Sequence, residues 1–366
     1  MRRPLLHLIA AARPNFMKVA PLFHALHREP WCDVALIHTG QHYDANMSGD
    51  FFRDLGLPDP AHHLGVGAGT HAEQTGGVMI AYEHVCAAQP PDWIIVVGDV
   101  NSTMACALVG AKLRIPVAHL EAGLRSRDRT MPEEINRIVT DAVASCLWTP
   151  STDADDNLRA EGVPAERIEM VGNIMIDSYE MLREAIEARA TRDQFGLAPK
   201  SYAVITLHRP VNVDDRSVLG GLVDEIRAAA RSLPVVFPIH PRTRKNLEQF
   251  GLYDRLSRES HVHIVEPMGY IDFMGLVREA RIIVTDSGGM QEETTYLNIP
   301  CLTIRDTTER PITISQGSNR LVQVGAVHAA IEQSLADGWP AARRPKFWDG
   351  RTAERVVASL RRRAGA

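Results

Sequence analysis

Residues 281–311, RIIVTDSGGMQEETTYLNIPCLTIRDTTERP, restrict the fold more than any other part of the chain. Ile282–Val284 is a short apolar run that reads as a buried strand. Thr285-Asp286-Ser287-Gly288-Gly289 breaks it, and Met290–Leu297 continues with helical character. A strand, a turn of small residues and a helix start, in that order, aim several backbone N–H groups and the positive end of a helix dipole at one crevice. Ser287 adds a hydroxyl donor, and Gly288 and Gly289 let an anion approach the backbone. Glu293, about one turn into the helix, is placed to accept from vicinal hydroxyls such as a ribose diol. A plain glycine-rich turn between two core elements is the alternative. The polar residues sit where a ligand would be, which favours a cradle for a nucleotide diphosphate.

The same alternation runs through the whole chain. Leu5–Ala10, Val34–His38, Trp93–Val97, Ile115–Leu120, Cys146–Thr149 and Ile168–Val171 read as strands, with helical segments between them. Thr70–Ala88 carries a capping box, Thr70 with Glu73. After Gly172 the pattern restarts with a helix at Met175–Ala190, then strands at Tyr202–Leu207, Val235–Ile239, Val262–Val265 and Ile282–Val284. This predicts an α/β chain of two Rossmann-like halves, residues 1–172 and 173–349, each with candidate site residues at its strand ends. A length of 366 residues accommodates two cores. A net charge of -5 with no basic tract argues against nucleic-acid binding. The five cysteines are scattered, odd in number and without metal-ligand spacing, so they read as reduced core thiols of a cytoplasmic protein. The N-terminal apolar stretch is cut by Arg13-Pro14 and reads as a strand rather than a leader, and nothing approaches the length of a membrane span.

The strand ends supply the candidates. Arg13 and Lys18 follow the first strand and are placed either to reach its crevice or to be solvated. The polar, aromatic loop Thr39–Asp44, with Gln41 and His42, suits ligand contact. Asp99 follows Trp93–Val97 and either caps the next helix or belongs to a site. Glu121 lies one residue past an apolar run, where burial demands a partner or a substrate. Glu133 and Glu134, behind Pro132, suit a helix dipole as well as a site. His208 ends Tyr202–Leu207 in the second half much as Arg13 ends the first strand.

The segments TGQHYD, GDVNST, HLEAGLRS, MPEEINR, VGNIMID, LHRP, TDSGGMQEE and RDTTERP, in this order and spacing from Arg13 to about Val322, identify the resemblance. The chain resembles the non-hydrolysing UDP-N-acetylglucosamine 2-epimerases of bacteria and archaea. That resemblance implies two domains of the glycosyltransferase-B type facing across a cleft, with the terminal helix, 350–366, returning to the first domain. It implies a homodimer serving cell-surface polysaccharide synthesis, a UDP-sugar substrate, and neither a metal nor a nicotinamide cofactor. It assigns Arg13, Lys18, His208, Ser287, Gly288 and Gly289 to the diphosphate, Glu293 to the ribose and Phe273 to the uracil. Asp99, Glu121 and Glu133 become the catalytic carboxylates, with Arg137 in support. Arg13 and His208 stabilise the departing UDP. Gln41 and His42 match a loop that lines an activator site in some members. In the family UDP leaves C1 as the C2 proton is removed, and UDP re-adds to the enzyme-bound 2-acetamidoglucal after reprotonation on the other face. A base and an acid on two faces require at least two carboxyl groups. One departure stands out: the family commonly reads TERPE, whereas Thr308-Glu309-Arg310-Pro311 is followed here by Ile312. Relatives with the same motifs epimerise UDP-2,3-diacetamido-uronic acids or hydrolyse UDP-N-acetylglucosamine, and glycosyltransferases share the fold.

Overall fold

Short, nearly continuous apolar segments suit strands that are covered on both faces, and these segments pair in parallel throughout. The computed structural model describes residues 2–11, 13–40, 55–340 and 342–365, with only the backbone described for Arg13 and Pro14. In the first unit β1 (Leu5–Ala10), β2 (Asp33–His38), β3 (His62–His63), β4 (Trp93–Val97), β5 (Val117–Leu120), β6 (Cys146–Thr149) and β7 (Ile168–Met170) form one sheet. Its order among the described residues is β3-β2-β1-β4-β5-β6-β7. In the second unit β8 (Ala203–Thr206), β9 (Val235–Pro238), β10 (Val262–Val265), β11 (Ile282–Thr285), β12 (Cys301–Ile304) and β13 (Asn319–Val322) are ordered β10-β9-β8-β11-β12-β13. Helices fill the crossovers, so both units are doubly wound and Rossmann-like, the α/β class expected from the alternating pattern.

In each sheet the strand order reverses once, between β1 and β4 and again between β8 and β11. The chain runs outward from β1 in one direction, then restarts at β4 on the other side. The loops beyond the carboxyl ends of these strands diverge and leave a crevice. Lys18 and Asp99 follow β1 and β4, while His208 and Ser287 follow β8 and β11. Topology therefore brings together residues that are far apart in sequence.

Contacts divide the chain into Met1–Met181 with Lys346–Ala366, and Leu182–Pro345. The division falls inside the helix Ile174–Glu187 rather than at Gly172, where the strand pattern restarts. The first turns of that helix belong to the first unit: Asp177 Oδ1 accepts from Ala353 N at 2.8 Å, and Ser178 Oγ donates to the Met17 carbonyl. The returning segment is well anchored. Trp348 Nε1 donates to the Pro150 carbonyl at 3.0 Å, and Trp148 Nε1 donates to Ser359 Oγ at 2.9 Å. Both indoles are buried with their polar edges satisfied. Gly172, at φ 102°, lets Phe347 pass where a side chain would begin 2.2 Å from its carbonyl oxygen. The Arg361-Arg362-Arg363 run ends the helix Thr352–Ala364, where Arg362 and Arg363 pair with Glu169.

Candidate functional site

At the β1–β4 switch point, buried charges are paired with one another. Lys18, from the helix Arg13–His27, forms an ion pair with Glu121 Oε2, and both side chains are largely buried. Glu121 stands immediately after β5 in a left-handed conformation, φ 72°, that a non-glycine residue adopts only under constraint. Its second oxygen, Oε1, is buried without a hydrogen-bond partner among the described residues. Gly98 provides the room: a side chain there would begin 3.2 Å from Glu121 Oε2 and 3.4 Å from Lys18 Nζ. Asp99 does not cap the following helix, whose N-cap is Val100 without a side-chain bond. Its Oδ2 instead receives Arg137 Nη1 at 3.0 Å. Arg137 is 2% exposed and also reaches Glu134 through Nε at 3.2 Å, while its Nη2 has no hydrogen-bond partner among the described residues. An unpaired buried acceptor on Glu121 and an unpaired buried donor on Arg137 are costly unless a ligand meets them.

The two adjacent glutamates separate cleanly. Glu134 is buried and accepts from Ser126 N at 2.9 Å, Ser126 Oγ at 3.1 Å and Arg127 N at 2.9 Å, so its carboxylate is saturated by structure. Glu133, in the same first helical turn, faces solvent. The Arg13 side chain, Gln41 and His42 lie outside the described residues.

At the β8–β11 switch point, Ser287 is the N-cap of the helix Gly288–Leu297, and its hydroxyl makes no capping bond. A side chain on Gly289 would meet no atom of the described residues within 4 Å, whereas one on Gly288 would begin 2.8 Å from Glu309 Oε1 and 2.9 Å from Arg310 Nη1. Among the described residues the helix start is thus open on one side and walled by charge on the other. His208 Nδ1 lies 2.8 Å from Asp286 Oδ1. Asp286 also accepts from the backbone N–H of His208 and Arg209 and from Asn212 Nδ2 at 3.1 Å. Burial alone would raise the Asp286 carboxyl, but His208 and these donors hold it below the usual carboxylate range. Glu293 is buried, and Tyr270 Oη donates to its Oε1 at 2.8 Å. Burial, with Glu292 next to it, pushes Glu293 up to about 7 against the pull of the Tyr270 bond. Phe273 stands one turn along the Tyr270 helix and is partly exposed.

Several neighbours of these residues receive no role from the sequence alone. Tyr270 lies outside the motifs, whereas Asp286, Glu292, Arg305, Glu309 and Arg310 lie inside TDSGGMQEE and RDTTERP. The last four form a buried chain of ion pairs, Glu292–Arg310–Glu309–Arg305, with Arg310 Nε 2.8 Å from Glu292 and Arg305 Nη2 3.0 Å from Glu309. Ile312, where the family commonly has a carboxylate, is buried at the start of a short helix. All five cysteines are buried free thiols, as expected. Among the described residues no helix is long and apolar enough to cross a membrane. Nor does any cluster of three or more His, Cys, Asp or Glu side chains among them form a metal site.

Two Rossmann-like units with polar and charged residues at both switch points place the chain in the glycosyltransferase-B type α/β class. A family model described as UDP-N-acetylglucosamine 2-epimerase matches residues 24–361. The UDP-N-acetylglucosamine 2-epimerase of Methanocaldococcus jannaschii is 41% identical over 366 residues, spanning 97% of this chain and 98% of that protein. A crystal structure of the M. jannaschii UDP-GlcNAc 2-epimerase in complex with UDP-GlcNAc and UDP matches with a TM-score of 0.87 at 42% identity, covering 97% of this chain and 99% of that one. The UDP-2,3-diacetamido-2,3-dideoxy-D-glucuronate 2-epimerase of Pseudomonas aeruginosa is 40% identical over 330 residues, spanning 89% of this chain and 90% of that protein. The chain belongs to the UDP-N-acetylglucosamine 2-epimerase family.

Proposed function

We propose that this enzyme interconverts UDP-N-acetylglucosamine and UDP-N-acetylmannosamine without net hydrolysis. The C2 proton and UDP are lost together, and the proton and UDP return with C2 inverted. The observation that carries this reading is the pairing of Lys18 with Glu121 and of Arg137 with Asp99, which leaves Glu121 Oε1 and Arg137 Nη2 buried without hydrogen-bond partners among the described residues. Proton transfer at a weakly acidic carbon needs carboxyl groups held in place with reactive atoms still available. Asp99, Glu121 and Glu133 take the proton-transfer roles, and Arg137 orients Asp99. The backbone start at Ser287, Gly288 and Gly289 receives the diphosphate, with His208, oriented by Asp286, and Arg13 and Lys18 stabilising the charge that UDP gains on leaving. Glu293 holds the ribose and Phe273 meets the uracil. No metal or organic cofactor enters the reaction. We assign the enzyme to the cytoplasm as a homodimer supplying cell-surface polysaccharide synthesis, with Gln41 and His42 in an activator site.

Incubation with UDP-N-acetylglucosamine alone in D2O tests the reading. The expected result is an epimer mixture carrying deuterium at C2. Free UDP with free sugar points to a hydrolase, and epimerised product without C2 deuterium overturns the proton mechanism. The likeness to the P. aeruginosa enzyme, at 40% identity, supports one second reading, a UDP-2,3-diacetamido-uronic acid as substrate. Parallel incubation with that nucleotide sugar decides between them by relative kcat/KM.

A further inference from the structure

Three consecutive carbonyls where β4 gives way to the site are held by side chains. Val97 O accepts from Asn15 Nδ2 at 2.8 Å and Thr103 Oγ1 at 2.9 Å, Gly98 O lies 2.9 Å from His119 Nε2, and Asp99 O accepts from Asn136 Nδ2 at 2.8 Å. His119 differs from the other donors. Its ring is fully buried, and its second nitrogen, Nδ1, lies 2.6 Å from Asp141 Oδ1. The ring is thus held between a carboxylate oxygen on one nitrogen and a backbone carbonyl oxygen on the other. Asp141 stays ionised: burial raises its carboxyl, but His119 and Arg125 beside it outweigh that and hold it below the usual range.

Asp141 also ties down the far side of Glu121. Its Oδ2 accepts from Gly123 N at 3.0 Å and pairs with Arg125 Nη1 at 2.8 Å. Arg125 is itself held by Glu161. Across Gly98 the charged neighbours are the Lys18–Glu121 pair, and beyond them the Asp99–Arg137 pair. The unusual backbone at Glu121 is therefore gripped before and after by one carboxylate, through His119 on one side and Gly123 on the other.

We infer that His119 is a positioning residue for the C2 proton transfer: a buried ring anchored on Asp141 that holds the Gly98 carbonyl and so sets where Asp99 and Glu121 stand. Its kinetic consequence rests on the epimerase reading, whereas the anchoring of the ring does not. Full-length protein labelled with ¹⁵N-histidine tests the anchoring directly. The His119 ring proton facing Asp141 should exchange slowly with solvent. A ring whose protons all exchange freely overturns the inference.

Kinetics test the first. His119→Gln, which keeps one amide donor but not the two-sided ring, should lose kcat by about 10²-fold, the scale of a small misplacement of catalytic groups. KM and UDP affinity should barely move. Asp141→Asn, which loosens the anchor of the ring, should likewise lower kcat with KM little changed. A folded His119→Gln enzyme with unchanged kcat overturns the positioning role, as does an Asp141→Asn enzyme with the kcat of the parent. If His119→Gln does not fold, the labelled parent and Asp141→Asn still decide. Absence of epimerisation by the parent protein would instead defeat the epimerase reading, and the NMR result would stand apart from it.

Discussion

Ser287 and Gly288 are neighbours, yet changing each asks a different question of the phosphate cradle. Ser287→Ala removes one donor to a charged phosphate and should weaken UDP binding by about 1.5–3 kcal/mol in calorimetry. Gly288→Val should do worse, because the new side chain begins 2.8 Å from Glu309 Oε1 and 2.9 Å from Arg310 Nη1. It would displace the buried ion pairs as well as obstruct the anion. The cradle is at fault if either variant binds UDP as tightly as the parent protein. Removing a general acid or base usually costs about 10²–10⁴ in rate, so Asp99→Asn and Glu121→Gln should lose turnover on that scale in a product assay while keeping most of their UDP affinity. Near-normal rates in both variants would remove them from the chemistry. Glu293 gives a pH prediction. Its carboxyl moves from 4.5 to about 7 in the folded protein, so between those values the folded state binds more protons than the unfolded one. Stability therefore falls as pH rises through this window, and the cost is fully present above it. Glu293→Gln should abolish that slope and raise the melting temperature at alkaline pH relative to the parent, with little difference in mild acid. The turn into the helix Gly288–Leu297 was legible because Ser287, Gly288 and Gly289 are adjacent and directly follow an apolar run. The His119–Asp141 and Lys18–Glu121 pairs were not, because their partners lie 22 and 103 positions apart along the chain and only the fold unites them.

Elements whose signals are local were equally readable. The capping box at Thr70 and Glu73 forms as expected, with Glu73 N bonded to Thr70 Oγ1 at 3.2 Å and Thr70 N to Glu73 Oε2 at 2.8 Å. Strands β1, β4, β6 and β10 begin and end where their apolar runs do. The strands β3, β12 and β13 were not foreseen, since two histidines, a run straight after Pro300 and a segment opening on Asn319-Arg320 acquire strand character only from their neighbours. The helix Arg216–Ala229 offers a test of local control. Its N-cap Asp215 accepts from Ser217 N at 2.8 Å and Val218 N at 3.0 Å, while Leu219, Leu222, Val223 and Ile226 pack into the second core. Asp215→Ala should cost about 0.5–2 kcal/mol, read as a lower denaturant midpoint at unchanged slope. A variant as stable as the parent would show that core packing alone fixes the start of this helix.

At the scale of the whole molecule, the second unit is one uninterrupted stretch, Leu182–Pro345, whereas the first needs both Met1–Met181 and Lys346–Ala366. The polypeptide 182–345 carries its own core and the helix start proposed to cradle the diphosphate, and it should fold alone and bind UDP; a cooperative melt and calorimetry check both. The polypeptide 1–181 should not fold by itself, because Trp148 and the Pro150 carbonyl lose Ser359 and Trp348. Supplying 346–366 as a separate peptide should partly rescue it. Loss of all UDP binding in a folded 182–345 fragment would place the cradle's affinity outside that stretch.

This interleaving has a consequence during synthesis on the ribosome. Domains generally mature in the order in which they emerge, amino-terminal first. Here the unit that begins to emerge first cannot close until residues beyond 345 have left the exit tunnel, so the later unit is complete before the earlier one. Throughout that interval the nascent chain displays the unfilled places of Trp348 and Ser359 to the cell. Stalled translation products ending before residue 346 should accordingly be held by chaperones or degraded, although nearly all of the residues at the candidate site would already have been made.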